Sequence, residues 1–344
     1  MIGAVDEKDG SVRLVGPEAQ RTACAERQRR ELEASRRFPN RQIASVLAAL
    51  YVAGLLVAAV LVRALRMPRP DRLLSSLARE YSSVPEMAVH KAVEIRSLLR
   101  HNYCGRGLDL GCGDGKVGGV LIGHAGLEHL EGVDVSPIDR AVLLARGYVG
   151  YVVADIQELP HPDATFDYVI AICVVEHIAD LGSVLREAGR VLKAGGWLYF
   201  TTPSRGFREA LIAYRVLKAF GMNGLAARFQ SYRDMTACHL HYLEETEWRA
   251  VLAEAGFSDV AIEPIFSRRQ HLVYDAMNVQ AYFLRYYFYE RLRGALERSD
   301  LMRRAMEWAT AQVAAAVTAT AATRADATHY SIACCKGAAS RGET

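Results

Sequence analysis

Short apolar strands alternate with helical stretches along residues 107–202, and this alternation limits the possible fold more than any other feature of the sequence. The pattern predicts strands at 108–110, 130–135, 151–154, 168–173 and 197–202. Helices are predicted between them, near 115–123, 137–146 and 180–193. Parallel strands need such crossover helices, and helices on both faces cover the sheet. We therefore expect an α/β fold with a doubly wound, mostly parallel sheet.

The rest of the chain from residue 71 continues this globular pattern. A helix is predicted at 244–255, a strand at 258–266, a long helical stretch at 270–323 and a last strand at 329–335. Two helical insertions, about 204–235 and 270–325, carry many aromatic and apolar residues and predict a lid over an acceptor, an interfacial helix or core packing. The predicted domain covers 71–337 and is followed by a tail at 338–344.

An uncharged segment precedes this domain. Residues 43–62 contain no charged side chain, and the mean hydropathy of the chain is slightly positive at +0.03. Twenty helical residues span about 30 Å, the thickness of a bilayer's hydrocarbon core. We predict a transmembrane helix at 43–65 behind a polar and basic arm at 1–42, with a buried core helix as the alternative. Arginines flank both ends, so charge does not decide the orientation.

A glycine-rich turn follows the first strand of the alternating region. The sequence Leu-Asp-Leu-Gly-Cys-Gly-Asp-Gly at 108–115 places Gly111, Gly113 and Gly115 where the strand passes into a helix. Glycines let the backbone turn sharply and approach a ligand, and the helix N-terminus offers unpaired N–H groups. Lys116 stands where a dinucleotide fingerprint would need a small residue, so the turn is not that motif.

Two carboxylates follow the next two strands. Asp134 ends the second strand, where it suits a ribose diol, and Asp155 follows the third, where it can accept from an adenine amino group. Either residue alone could be a solvated strand end or a helix cap. Ligands of open α/β sheets bind beyond the carboxyl ends of the strands, which is where the glycine turn and both aspartates fall.

With these motifs the chain resembles the class I S-adenosylmethionine-dependent methyltransferases over residues 75–337, and within them the type-11 group and the ubiquinone-biosynthesis O-methyltransferases. The resemblance rests on LDLGCGDG, GVDVSP, ADIQELP, FDYVIAICVVEHIAD, REAGRVLKAGGWLYFTTPS and HLHYLEETEWRAVLAEAGF. It implies a Rossmann-like sheet of seven strands, with the strand at 329–335 antiparallel. It also implies S-adenosylmethionine as cofactor, bound by Asp109, Gly111, Cys112, Gly113, Asp134, Val135, Asp155, Ile156 and Cys173.

Candidate catalytic residues follow the fourth strand and recur about sixty residues later. Methyl transfer from a sulfonium needs alignment, and a base where the acceptor is a hydroxyl. His177 with Glu176 is the nearest base candidate, and His241 is the third predicted catalytic residue. Some relatives use E-x-x-E-H and a later histidine to hold Mg²⁺, for which His239 and His241 are available. Cys173 stands at the first glutamate position, so we assign no metal.

Composition excludes several other classes of function. The net charge is only +3, and no N/D-P-P-Y/F motif occurs, so we expect no nucleic-acid partner. The seven cysteines contain no C-x-x-C spacing, which favours a reducing compartment over a disulfide scaffold.

Together these features predict a membrane-anchored methyltransferase that acts on a small lipophilic or lipid-linked acceptor, at oxygen. Its catalytic domain is expected on the cytoplasmic side of the cell membrane, where the cofactor is available. A non-catalytic cofactor-binding membrane scaffold and a nicotinamide-dependent oxidoreductase are the alternatives. The sequence does not predict the oligomeric state.

Overall fold

The computed structural model describes residues 3–5, 12–14 and 41–337, with side chains described for 48–278 and 292–337. In the first forty residues, strands β1 (Gly3–Val5) and β2 (Val12–Leu14) form an antiparallel pair. The rest of the predicted arm and the tail at 338–344 lie outside the described residues. So do the side chains of the aromatic stretch between 282 and 289.

Seven strands form the main sheet, as predicted. They are β3 (Gly107–Leu110), β4 (Leu130–Asp134), β5 (Gly150–Val153), β6 (Phe166–Ile172), β7 (Leu192–Pro203), β8 (Phe257–Ser267) and β9 (Ala327–Lys336). Their order across the sheet is β5-β4-β3-β6-β7-β9-β8, and only β9 runs against its neighbours β7 and β8. The predicted Rossmann-like sheet with one antiparallel strand is therefore confirmed.

The described residues also form twelve α-helices. They are α1 (Arg41–Ala64), α2 (Arg72–Glu80), α3 (Pro85–Leu98), α4 (Lys116–Ala125), α5 (Arg140–Ala145), α6 (Leu181–Val191), α7 (Arg205–Ala210), α8 (Ile212–Ala219), α9 (Asn223–Ala237), α10 (Glu245–Glu254), α11 (Arg268–Arg298) and α12 (Asp300–Val317). The insertion predicted at 204–235 corresponds to α7, α8 and α9.

The long helical stretch predicted at 270–323 is two helices, with a break at Ser299. The Ser299 backbone is extended, and its side-chain oxygen accepts from the Met302 N–H at 3.3 Å. Serine at such a position satisfies an N–H that the first turn of α12 leaves without a helical partner. The aromatic-rich sequence therefore folds as a pair of helices and not as one rod.

The core lies on both faces of the sheet because successive strand residues point to opposite sides. On β7, Leu198 and Phe200 pack on one face, where Phe200 meets the fully buried Trp248 of α10 with ring centroids 5.1 Å apart. Tyr199 packs on the other face, together with residues of α2, α3 and α4. This second face carries α3 close to the ends of β6 and β7.

Helix α1 contains the uncharged segment, and one of its faces packs against α11 and α12. Ala48, Tyr51, Leu55 and Ala59 are buried in a cluster with Leu292, Leu296, Met306, Ala309 and Val313. Their spacing of three or four residues places them on one side of the helix. The opposite side is exposed, with Val57 and Leu61 at 59% and 56% of their full accessible surface.

The structure does not support the transmembrane helix predicted at 43–65. Within the described residues, none of the helices combines the length and the apolarity that crossing a bilayer requires. The helix itself is present where the sequence predicts it, but the face at Tyr51, Leu55 and Ala59 contacts protein. The hydropathy pattern alone cannot separate these cases because burial in protein and burial in lipid favour the same residues.

We predict that this packing contributes to stability. Ala59 has no exposed surface, so Ala59→Leu should overpack the contact with α11 and α12 and lower the free energy of unfolding by about 1–3 kcal/mol. Val60→Leu adds volume at an exposed position and should change it by less than about 0.5 kcal/mol. Urea denaturation of both variants measures the difference, and equal effects would contradict the packing of α1.

Candidate active site

The glycine turn between β3 and α4 forms the floor of the site. Gly111, Gly113 and Gly115 all have positive φ, at 66°, 52° and 73°. A side chain at Gly111 would come within 2.8 Å of Val174, which follows β6, so the two strand ends approach closely here. A side chain at Gly113 would meet no atom within 4 Å. The turn thus presents exposed backbone to an open space, as cofactor binding requires.

The three predicted aspartates lie at the carboxyl ends of the adjacent strands β3, β4 and β5. Asp134 accepts from the Gly113 N–H at 2.9 Å and from the Ser136 N–H at 2.8 Å. Asp155 accepts from the backbone N–H of Gln157 at 3.0 Å. These contacts fix both carboxylates at the edge where ligands of such sheets bind.

Asp109 is buried beneath the turn. The Tyr148 hydroxyl donates to its Oδ2 at 2.5 Å. The pKa of Asp109 is raised to about 7: burial raises it most, the hydrogen bond from Tyr148 lowers it, and the nearby Asp134 raises it. This carboxyl therefore titrates near neutral pH, and its side-chain hydrogen bond comes from Tyr148.

The other predicted cofactor residues occupy different environments. Cys112 is buried against Gly132, where an added side chain would come within 2.7 Å of its Sγ. Val135 is exposed at 53%, directly after Asp134, whereas Ile156 is buried in the core. Val135 is thus available to a ligand at the surface, and Ile156 supports the loop from below.

Cys173 lies at the end of β6, on the side of the glycine turn. Its φ of 54° is in the left-handed region, which costs a non-glycine residue about 1–3 kcal/mol and is most often found at functional sites. The Cys173 thiol donates to Oε1 of Glu94 at 2.5 Å, and the Thr201 hydroxyl donates to the same oxygen at 2.9 Å. The predicted cysteine is therefore joined to helix α3.

Sequence reasoning missed the contribution of α3. Glu86, His90, Lys91 and Glu94 are all buried, although in the sequence they occupy the polar positions of an amphipathic helix. Lys91 Nζ lies 2.7 Å from Glu94 Oε2. Burial by itself lowers the pKa of Lys91 and raises that of Glu94. The neighbouring Cys173 and Glu94 nevertheless hold the pKa of Lys91 above its ordinary value, and Lys91 holds that of Glu94 below.

The structure brings two of the three predicted catalytic residues together and adds His239. His177 lies on the turn after β6, and its Nδ1 donates to the Cys238 carbonyl at 3.0 Å. A carbonyl can only accept, so Nδ1 carries a proton, and in the neutral imidazole Nε2 carries the lone pair. The ring of His239 lies 5.0 Å from that of His177. His241 instead donates from Nε2 to the Ile178 carbonyl at 2.8 Å.

Glu176, His177 and His239 could together hold a divalent cation. One ligand atom from each lies within 4.8 Å of the others, and both carboxylate oxygens of the buried Glu176 lack a hydrogen-bond partner. Burial also raises the pKa of Glu176. Two imidazoles and one carboxylate suit a transition metal better than Mg²⁺. A second set, His90, Glu94 and Cys173, is as compact, but there the Lys91 ammonium already neutralises Glu94.

The open space at Gly113 gives a test of the cofactor site. Gly113→Val should place a β-branched side chain at positive φ in that space and weaken S-adenosylmethionine binding at least about tenfold, or about 1.4 kcal/mol. Isothermal titration calorimetry measures the loss. The control Gly123→Ala, on the outer part of α4 with no neighbour within 4 Å, should bind normally. Normal binding by Gly113→Val would place the cofactor elsewhere.

Comparison with known proteins agrees with this geometry. Residues 79–262, more than half of the chain, match the family described as methyltransferase domain. The ubiquinone/menaquinone biosynthesis C-methyltransferase of Geobacter sulfurreducens is 31% identical over 179 residues, which cover 47% of this chain and 68% of that protein.

Two further relatives carry related names. The 27-O-demethylrifamycin SV methyltransferase of Amycolatopsis mediterranei is 29% identical, over 54% of this chain and 66% of its own length. The ubiquinone biosynthesis O-methyltransferase of Thiobacillus denitrificans is 32% identical over 115 residues, which span 31% of this chain and just under half, 47%, of that protein.

These matches confirm the resemblance inferred from the motifs and set aside the nicotinamide oxidoreductase alternative. The glycine turn and the three aspartates fit S-adenosylmethionine, because open backbone and carboxylates meet at the edge of the sheet where its ribose and amino groups need partners. The chain belongs to the methyltransferase-domain family and is a class I S-adenosylmethionine-dependent methyltransferase.

Proposed function

We propose that this methyltransferase acts on a small lipophilic or lipid-linked acceptor with a hydroxylated aromatic or quinone-type ring, and that it methylates oxygen. The observation that carries the proposal is an array of rings that contacts His90 of α3, here called the ring array. It consists of Phe207, His239, Phe266, His271, Tyr274 and His329. The names of the relatives, which refer to quinone and rifamycin substrates, support the same class of acceptor.

The ring array extends from the histidines that follow β6 to the polar residues of α3. Phe207 lies 5.2 Å from His239 and 4.7 Å from His271, measured between ring centroids. At the other end His329 meets His90, with the two Nε2 atoms 3.0 Å apart. Both ring nitrogens of the buried His271 lack a hydrogen-bond partner. Aromatic rings pack favourably on the edges and faces of other rings, as an acceptor ring would here. The unpartnered nitrogens of His271 can form hydrogen bonds with polar substituents of that ring.

The chemistry needs alignment and a proton acceptor. When bound, S-adenosylmethionine supplies a methyl group already activated on a sulfonium. The glycine turn and Cys173 are placed to hold that group opposite the acceptor, since Gly111 and Val174 bring the two strand ends together. His177 offers the Nε2 lone pair to an acceptor hydroxyl, because its Nδ1–H is engaged by Cys238.

His239 is held in the same tautomer by a chain of hydrogen bonds. The Tyr242 hydroxyl donates to Asp234 at 2.8 Å and therefore accepts from His239 Nδ1 at 3.0 Å. Burial lowers the pKa of His239 well below its ordinary value, so its imidazole is neutral.

The catalytic roles of Glu176, His177 and His241 remain predictions from the sequence.

Turnover of labelled S-adenosylmethionine with hydroxylated quinone precursors tests the proposal. Mass spectrometry should show one added methyl group and NMR a methoxy signal. His177→Gln should lower kcat about 10²-fold or more, because the proton acceptor is lost. The matched control His129→Gln, exposed and distant from the turn, should leave kcat unchanged.

Other outcomes of these experiments distinguish the alternatives. Cofactor binding without turnover on any such acceptor would support the scaffold, and a methyl group on ring carbon would contradict the oxygen target. His241→Gln tests the third predicted catalytic residue, whose Nε2 is engaged by Ile178. A rate unchanged by EDTA would agree with the absence of a metal at Glu176, His177 and His239, and a lost rate that Mn²⁺ or Zn²⁺ restores would contradict it.

We also propose that α1 attaches the enzyme to the membrane where a lipophilic acceptor is available. The exposed side of the helix carries Val57, Val60 and Leu61. Arg63, Arg66, Arg69 and Arg72 follow in exposed positions, and no acidic residue occurs between 41 and 70. An apolar helix face beside clustered arginines favours an anionic bilayer surface. The single pass and the cytoplasmic side of the catalytic domain remain predictions.

Vesicle flotation tests the attachment. The protein should float with phosphatidylglycerol vesicles more than with phosphatidylcholine vesicles, and Leu61→Glu should release it. Arg63→Ser with Arg66→Ser should weaken binding to phosphatidylglycerol, by roughly fivefold for each arginine near the surface. Val149→Glu, at 49% exposure against 56% for Leu61 and on another part of the molecule, is the matched control. Flotation that is unaffected by Leu61→Glu would contradict a role for this face.

A further inference from the structure

Helix α3 holds a buried ion pair that the proposed chemistry does not use. Lys91 and Glu94 are 6% and 0% exposed, and their charged atoms lie 2.7 Å apart. A buried pair of this kind rarely contributes net stability, because removing two charges from water costs as much as their attraction returns. Charged groups with perturbed pKa values cluster at functional sites.

The position of the pair places it on the acceptor side of the site. Glu94 contacts Cys173, and the next residue, Val174, lies against Gly111 of the cofactor turn. The charge of Lys91 acts on groups from every element around it, which are Tyr81, His90, Glu94, Cys173, Glu176, His239 and Tyr274. The pair is therefore located between the cofactor turn and the ring array.

His90 points an unpartnered lone pair at the same place. The Thr328 hydroxyl donates to the Phe266 carbonyl at 2.8 Å, so it accepts from His329 Nδ1 at 3.0 Å. His329 Nε2 must then accept from His90 Nε2, which leaves His90 Nδ1 without a proton. This nitrogen is buried, has no hydrogen-bond partner and lies 3.7 Å from Glu94 Oε2.

A donor and an acceptor thus surround one carboxylate oxygen. Lys91 Nζ is 2.7 Å and His90 Nδ1 is 3.7 Å from Glu94 Oε2. A hydroxyl group satisfies both, because its oxygen can accept from an ammonium while its proton is donated to an imidazole nitrogen. A metal cation would be repelled by Lys91, and a carboxylate ligand would be repelled by Glu94 and by the His90 lone pair.

We propose that Lys91 and His90 form a recognition site for a hydroxyl group on the acceptor ring. Lys91 donates to the hydroxyl oxygen, His90 Nδ1 accepts the hydroxyl proton, and Glu94 keeps the ammonium in position. This inference rests on the proposed function, since it requires an acceptor with a ring hydroxyl. It also assigns α3 a role in substrate specificity.

Spectrophotometric titration of 4-nitrocatechol bound to the complex of enzyme and S-adenosylhomocysteine tests this site, because the probe changes colour when a hydroxyl ionises. In the wild type the bound probe should ionise close to the pH of the free probe, because Glu94 and the His90 lone pair oppose the effect of the Lys91 ammonium. Lys91→Met should raise the pH at which the bound probe ionises by about one unit, because only the carboxylate is then left. Glu94→Gln should lower it by about one unit, because the charge of Lys91 is then no longer neutralised.

The opposite signs separate recognition from a structural role, for which both variants would change the ionisation of the probe in the same direction or not at all. If Lys91→Met does not fold, Lys91→Met with Glu94→Gln removes both charges and should ionise the probe as the wild type does, while Glu94→Gln alone should still lower the ionisation pH. Lys193→Met removes a partly exposed lysine, paired with Asp167, and serves as the matched control that should behave as the wild type. Circular dichroism and cofactor titration establish that each variant is folded.

Each remaining outcome is decisive. Ionisation of the bound probe that Lys91→Met and Glu94→Gln leave unchanged, or shift in the same direction, would overturn the recognition site and leave the proposed acceptor class intact. Failure of the wild-type complex to bind the probe would contradict the hydroxylated acceptor itself, and the recognition site with it.

Discussion

The close approach of two strand ends is the constraint on which this site depends. Strands β3 and β6 are neighbours in the sheet, so the residues that follow them meet, and a side chain at Gly111 would collide with Val174. Glycine at this point allows the contact and also leaves the backbone of Gly113 open. The cofactor turn, Cys173 and the turn that carries His177 are all positioned by this one junction.

The buried polar side of α3 places a second constraint on the structure. Glu94 receives hydrogen bonds from Cys173 and Thr201 and pairs with Lys91, so the helix is tied to the ends of β6 and β7. Burying these charges costs free energy unless each is compensated. The hydroxyl recognition proposed above uses these compensated charges.

Local patterns predicted much of the fold and part of the site. Alternating strands and helices predicted the sheet, because β-strand and α-helix periodicities differ and each element is read over a few residues. Asp134, Asp155 and the glycines follow strands directly, so their common location follows from the rule that parallel strands end at one edge. From the sequence, His239 and His241 were equally good candidates. The structure places the ring of His239 beside that of His177, whereas His241 donates to the Ile178 carbonyl.

What the sequence by itself determined is the sheet, the glycine turn, the order of the carboxylates and the family. These depend on neighbours along the chain. Only the tertiary structure decided that α1 packs one face on α11 and α12, that Ser299 separates two helices, and that the polar positions of α3 are buried. The reason is physical. The spacing of apolar and polar residues along a helix is the same whether protein, lipid or water covers a given face. Only long-range packing determines which of the three does.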